Sequence, residues 1–310
     1  MYRYVIKRLL QLIPVLLAIS FIIFTIIDLT PGDAAALILG DNANEQAAKQ
    51  LREELGLNDP FLKRYFSYIL NVLHGDFGTS YRNGQDVIEA VIACLPYTGK
   101  LAVVSMVIAV VLGLVLGVLS AIKQYSLIDN VTLVATLTLT STPEFLFGLV
   151  LLIIFSVKLG LVSVVGNSTS WSAYILPGIA ASGSILANLT RMTRSTMLEV
   201  IRMDYIRTAR AKGTSEKVVI FSHALPNALL PVVTLIGINM GWMLAGSIVI
   251  EQVFSIPGIG TLMINSIRTK DTPVVMGCVL FMCFAASIIN LITDLVYGFI
   301  DPRIKAEYIK

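Results

Sequence analysis

The sequence predicts an all-α integral membrane protein that crosses the membrane six times. Both termini are expected on the cytoplasmic side, with a helical external lobe between the first two spans. Three observations carry this. Apolar residues make up 56% of the 310-residue chain and charged residues 14%, where a soluble domain averages about 45–50% and about 25%. Uncharged runs recur at roughly the 20 residues needed to cross about 30 Å of hydrocarbon. The basic residues gather on alternate sides of those runs. A mean hydropathy of +0.81 excludes an ordinary soluble enzyme, a disordered chain and a nucleic-acid binder. The net charge of +3 is too small to imply a polyanionic partner.

The elements follow in order. Residues 1–29 supply the cytoplasmic start and span one, an uncharged run over 9–27 behind Arg3, Lys7 and Arg8. This run is longer than the 7–15 residues usual for a signal peptide. The small-residue cleavage candidate at 34–36 also sits behind Pro31-Gly32-Asp33, so span one reads as an uncleaved anchor. Residues 30–96 form the external lobe. There Asn44 can cap a helix that runs to Leu55, with Gly56 in the C′ position. Asp59-Pro60 supplies an N-cap and a first-turn proline for the next helix. That helix carries Leu62, Tyr65, Phe66, Ile69, Leu70 and Leu73 at helical spacing, a face that packs on the lobe or the membrane surface or docks an external partner.

Residues 97–310 hold the other five spans: 101–122; 130–157, uncharged apart from Glu144; a run from about 173, after a Gly/Ser/Asn-rich stretch over 159–172; 224–250; and 272–293. The basic residues of the amino terminus, of Lys123, of the 191–217 segment and of the tail total fourteen on one side. Lys100, Lys158, Arg268 and Lys270 lie opposite, apart from the long first loop. The fourteen mark the cytoplasmic face. Within that segment, residues 199–212 have helix-forming composition. Gly213 can take the left-handed conformation that ends a helix, and Thr214 or Ser215 can cap a second helix before Leu225-Pro226 leads into span five. The result is a basic helix–turn–helix at the membrane surface, where anionic lipid contacts are the plainest role.

This segment carries a family resemblance. Arg207-Thr208-Ala209, three residues, Gly213, nine residues and His223-Ala224-Leu225-Pro226 resemble the EAA loop of ABC-importer permeases. Arg207 stands at the glutamate position and His223 at the isoleucine position. The run Asp204-Tyr205-Ile206-Arg207-Thr208-Ala209-Arg210-Ala211-Lys212-Gly213 resembles the version in the dipeptide/oligopeptide/nickel permeases. Further likenesses run along nearly the whole chain: Pro31-Gly32-Asp33, with Ala34 where that family has a second proline; Leu55-Gly56-Leu57 with Asp59-Pro60; Gly75-Asp76-Phe77-Gly78-Thr79-Ser80; Leu95-Pro96-Tyr97-Thr98; Phe254-Ser255-Ile256-Pro257-Gly258-Ile259-Gly260; and Asp301-Pro302-Arg303-Ile304. The resemblance implies a permease subunit of an ATP-driven importer in a bacterial or archaeal cell membrane. Its partners would be a second homologous permease, two cytoplasmic ATP-binding subunits and an extracytoplasmic binding protein. Residues 199–227 would be the coupling loop, with Asp204, Arg207, Thr208, Ala209, Gly213, Leu225 and Pro226 at its ATPase-facing positions. Peptides rank first as cargo, with nickel or metallophore complexes and glutathione-like compounds as alternatives.

The residues themselves point away from an enzyme. No G-x-x-x-x-G-K-[ST] phosphate loop occurs, so ATP and Mg would be used by the partner ATPases and no cofactor is expected on this chain. Ala181-Ser182-Gly183-Ser184 lacks a histidine at mid-membrane, which argues against an intramembrane serine protease. His74 and His223 are far apart, Cys94, Cys278 and Cys283 form no disulfide framework, and no metal site is expected. Met240 and Met243, without a nearby Cys or His, read as core packing. A stand-alone secondary transporter is a further alternative, although no clear internal repeat is seen. Ionisable groups inside spans are expensive and functional by default. Glu144, next to Pro143 in span three, is therefore a candidate for the translocation path, where it would attract a cation, or else a helix-packing carboxyl. Asn188 and Asn239 are weaker path candidates, with interhelical hydrogen bonding as the plainer role. Glu251 and Asp294 read as structural groups at span ends. Gly113/Gly117 and Gly237/Gly241 read as close-packing faces, with the partner permease as one possible neighbour.

Overall fold

The computed structural model describes residues 2–31, 34–39, 45–162, 170–246 and 248–300. Gly32-Asp33, the Asn44 cap, the middle of the 159–172 stretch and the Asp301–Ile304 motif with its basic tail lie outside the described residues. The chain order is α1 (Tyr2–Leu29), α2 (Ala34–Leu39), α3 (Glu45–Glu54), α4 (Phe61–Leu73), α5 (Val87–Ile122), α6 (Leu127–Ser141), α7 (Glu144–Leu152), α8 (Ile175–Ile201), α9 (Asp204–Ala211), α10 (Glu216–Val218), α11 (Leu225–Gly246), α12 (Ile248–Val253), α13 (Ile259–Arg268) and α14 (Thr272–Ile300). π-Helical turns at Ile153–Lys158 and Val219–Ala224 extend α7 and lead into α11. Among the described residues there is no strand, only an isolated bridge between Thr79 and Asp86. Five helices are long and apolar enough to cross a membrane, and the bent pair α6–α7 makes the sixth span.

The third span is not one continuous helix but a broken one. The residue before a proline avoids the helical region. Thr142 accordingly takes φ −95°, ψ 125°, and α7 restarts behind Pro143. The helix direction bends by 105° between the two arms. The span also begins earlier than residue 130, because Ser126 caps α6 by accepting from the Asp129 amide at 3.3 Å.

Helix α8 is the axis of the bundle, buried along most of its length. Helix α5 packs tightly along it. A Cβ at Gly117 would lie 2.6 Å from Thr193 Cβ and 2.8 Å from the Thr190 carbonyl oxygen, and one at Gly113 would lie 2.9 Å from Leu189 Cβ. Gly237 and Gly241 likewise sit against Thr293 and Asn290 of α14. Both glycine faces therefore pack within this chain and leave no room there for another subunit. α5 begins at Val87, ahead of the 96/97 boundary, and Pro96 lies inside it. At about 1.5 Å per residue, its 36 residues exceed the hydrocarbon thickness, so its first turns project outward.

The external segment is tied to the spans. Glu45–Glu54 ends in a Schellman turn: Gly56 has φ +63°, its amide donates to the Glu53 carbonyl at 3.1 Å, and the Leu57 amide donates to Arg52 at 2.9 Å. Pro60 itself is the N-cap of α4, without a side-chain cap bond. Asp59 pairs with Lys63 instead, at 3.0 Å. α4 lies on α1. Tyr65 is buried among Phe21, Phe24 and Phe61, and its hydroxyl sits 2.9 Å from Ser20 Oγ. Leu62, Phe66, Leu70 and Leu73 stay exposed on the other side, so the apolar face read from the sequence is divided between α1 and the surroundings.

Glu251 and Asp294 are structural, as expected. The buried Glu251 carboxylate accepts from Thr98 Oγ1 at 2.7 Å and from the Thr261 amide at 3.0 Å. It thereby closes the N-terminus of α13, where a negative charge is favoured. The Pro257-Gly258-Ile259-Gly260 turn wraps this carboxylate so closely that a Cβ at Gly258 would lie 2.3 Å from Oε1. Asp294 accepts from Tyr4 Oη at 2.7 Å and pairs with Arg8 at 2.9 Å, which ties α1 to α14. Met243 belongs to the central core. The three thiols are free.

Candidate functional site: a coupling helix and a polar path face

The cytoplasmic segment is built around one buried side chain. Ile206 has no exposed surface and packs with Val118, Met197, Val200, Val219 and Ala224 from α5, α8 and the turns leading into α11. The sequence reading missed Ile206, although it is the one large aliphatic side chain in this eight-residue helix. The helix is also shorter than the expected 199–212. α8 runs on to Ile201, Arg202 and Met203 break it, and α9 starts at Asp204. Arg191 and Arg194, placed by sequence in the loop, consequently belong to span four.

Helix α9 stops where Gly213 predicts. Gly213 has φ +80°, its amide donates to the Arg210 carbonyl at 2.9 Å, and the Thr214 amide donates to Ala209 at 3.3 Å, a second Schellman turn. Arg210 then reaches across it to Glu216, with contacts of 2.6 and 3.1 Å. Anchored in this way, α9 presents Asp204 (side chain 97% exposed) and Arg207 (73%) to solvent, together with Thr208. Ala209 turns inward against the Ile206 cluster, as does Leu225, while Pro226 and His223 are exposed. Leu225-Pro226 does not interrupt the chain. Helix, π-turn and span five are continuous.

A second polar centre joins this end of the bundle to span three. Asp129 (side chain 1% exposed) and Arg194 (19%) form a two-pronged pair at 2.7 and 2.8 Å. Asp129 also accepts from Ser120 Oγ and from the Tyr125 amide. The four groups belong to α5, the α5–α6 turn, α6 and α8. Sequence reasoning missed the pair because Asp129 lies one residue outside the apolar run. The Ser126-x-x-Asp129 spacing, a helix-start signature, was the available signal.

From this pair α6 climbs along α8 to the break. A Cβ at Gly183 would touch Leu139 of α6 at 3.6 Å and Phe147 of α7 at 3.7 Å, so the two arms straddle α8 at that point. Glu144 opens α7 there, half-buried, with its carboxylate beside Ser184. Farther out, α7 covers the same face of α8, with Gly148 against Ala180. Farther in, that face is uncovered, and the side chains along it are Ser184, Asn188, Arg191, Ser195 and Glu199. Their spacing of four, three, four and four residues keeps them on one side of the helix. The open faces of α1, α5 and α6 are instead lined by aliphatic side chains such as Ile13, Val107 and Val134, as lipid contact requires. Asn188 accepts from Arg191 at 2.7 Å. Asn239 donates to its own helix at Leu235, 2.7 Å away. Among the described residues, neither asparagine makes the interhelical bond given above as its plainer role.

Six spans with an uncovered polar face on the central one, and a short anchored helix on the cytoplasmic side, fit a transport permease. Comparison with known proteins agrees. Residues 113–306 match the family described as binding-protein-dependent transport system inner membrane component. Residues 1–102 match the corresponding N-terminal family. The chain belongs to this family. It is 41% identical over 305 residues to the glutathione transport system permease protein GsiC of Salmonella choleraesuis (strain SC-B67), covering 98% of this chain and 99% of the relative. It is 39% identical, with the same coverage, to the protein of that name from Escherichia coli (strain K12). The protein is thus a multi-pass inner-membrane permease subunit of an ABC importer. It is a non-catalytic component that works with separate ATPase and substrate-binding partners, and the stand-alone secondary transporter is set aside.

Proposed function

We propose that this permease forms half of the translocation path for short peptides, with tripeptides of the glutathione kind as the leading cargo. The uncovered polar face of α8, headed by Glu144 at the break in span three, is the observation that carries the reading. A polar, charged face on a central span suits a water-filled path and not lipid, and broken spans are a recurrent way to build a substrate site at mid-membrane. The naming of the 39–41% identical relatives as glutathione permeases supports a peptide-sized cargo. Nickel or metallophore complexes draw no such support.

The other half of the path comes from a second homologous permease, and two ATPases drive the pair. Helix α9 is the coupling element, with Asp204, Arg207 and Thr208 meeting the ATPase and Gly213 fixing the turn behind them. Residues 30–96 meet the external binding protein, and 97–310 form the permease core. ATP and Mg stay on the ATPases. A short helix locked by Ile206 and by a Schellman turn moves as one body, which suits it to transmit ATPase closure to packed spans.

Purification of the tagged chain from its native membranes in mild detergent, with mass spectrometry of co-purifying proteins, tests the assembly. A second permease and two ATPases are the expected companions. ATP-dependent uptake of glutathione and trialanine by the reconstituted complex tests the cargo. A chain that purifies alone and supports uptake without ATP would overturn the reading.

A further inference from the structure

The polar face of α8 has a charge order and a length. At its outer end is the Glu144 carboxylate, beside Ser184. Seven residues farther in is the exposed guanidinium of Arg191, steadied by its 2.7 Å bond to Asn188. The backbone rises about 10 Å over these seven residues, and the bond to Asn188 keeps the guanidinium on the outer side of that limit. An extended chain spans about 3.3–3.6 Å per residue, so about 10 Å separates the two ends of a three-residue peptide. The anionic pole lies outward and the cationic pole inward.

Resting on the path reading above, the geometry points to Glu144 and Arg191 as the two specificity-determining residues for a zwitterionic peptide of about three residues. Its ammonium group meets Glu144 and its terminal carboxylate meets Arg191, so the cargo moves carboxylate first. The surroundings favour this assignment. Arg194, the neighbouring arginine, is already committed to Asp129. α7 closes the face above Glu144, with Gly148 against Ala180, so a cation reaching the carboxylate lies at the head of the open stretch. Asn188 and Ser184 fill the interval with groups that match the peptide bonds of an extended cargo. Arg suits the inner pole because its planar fork binds a carboxylate with two parallel hydrogen bonds.

The test uses the complete transporter with its binding protein, reconstituted in lipid vesicles, and follows initial uptake of trialanine, N-acetyl-trialanine and trialanine amide. Uptake is expressed per ATP hydrolysed, so loss of folded protein alone does not move it. Glu144→Gln is expected to lower trialanine uptake about tenfold, the scale of one charged hydrogen bond. It should leave N-acetyl-trialanine, which has no ammonium group, at the wild-type value. Arg191→Gln is expected to do the same for trialanine and to spare trialanine amide. Glu144→Asp and Arg191→Lys keep the charges and should retain most uptake. Wild-type values for all three cargoes in both glutamine variants would overturn the inference while leaving the path reading standing. So would equal losses in the conservative and neutral variants. If the wild-type complex moves no trialanine, the peptide-cargo reading falls and takes this inference with it.

Discussion

Replacing Gly213 with valine isolates the turn behind α9, the proposed coupling element, from everything around it. No heavy atom lies within 4 Å of where a Cβ would stand, so the substitution meets no neighbour in this chain. What it meets is the backbone: at φ +80°, an L-residue is strained by about 1–2 kcal/mol, and a β-branched residue sits at the upper end. The chain can escape by opening the turn. That gives up the Gly213 and Thr214 amide bonds, each worth about 0.5–1.5 kcal/mol. It also loosens the Arg210–Glu216 pair, which is largely exposed and worth at most about 1 kcal/mol. Strain and escape are of the same size, so valine shifts the turn toward open forms by about tenfold for each 1.4 kcal/mol. The assay is uptake per ATP hydrolysed by reconstituted transporter. The expected order of coupling is wild type, then Gly213→Asn, then Gly213→Ala, then Gly213→Val, because asparagine tolerates the left-handed region best. Wild-type coupling in Gly213→Val would refute the reasoning. A loss in Gly213→Asn as large as in Gly213→Val would show that contact with the ATPase, and not backbone conformation, makes the glycine necessary.

Three stability predictions follow from the packing. Asp129→Asn or Arg194→Ala leaves a buried charge without its partner and should cost about 3–5 kcal/mol, seen as a lower melting temperature of the detergent-purified chain; the double variant Asp129→Leu/Arg194→Met should recover much of the loss. Gly258→Ala should destabilise more than Glu251→Gln, since the new Cβ would lie 2.3 Å from the carboxylate oxygen whereas glutamine keeps an acceptor for Thr98. Gly117→Val should separate α5 from α8 and abolish a monodisperse species in size-exclusion chromatography, because its Cβ would meet backbone as well as side chain at 2.6–2.8 Å, a case of overpacking that costs about 1–3 kcal/mol or more.

Much of this protein is written in its composition. The six spans follow from apolar runs matched to bilayer thickness. The ends of α3 and α9 follow from Gly56 and Gly213, because a left-handed residue is locally required whatever the rest of the chain does. The Pro-Gly turn after span five was also legible, although spacing did not say that the turn wraps the Glu251 carboxylate. Tertiary structure decided what depends on neighbours. Pro143 announces a disturbance, but whether the helix kinks or breaks depends on how its two arms pack on α8. Ile206 looks like an ordinary aliphatic residue until α5, α8 and the base of span five close around it. Asp129 and Arg194 are 65 residues apart, and no local pattern pairs them. The polar face of α8 is invisible as a face until packing buries every other side of that helix. Sequence determined the elements, since each depends on residues within a few turns. The polar face of α8 depends on which surfaces remain uncovered, and only the assembled bundle decides that.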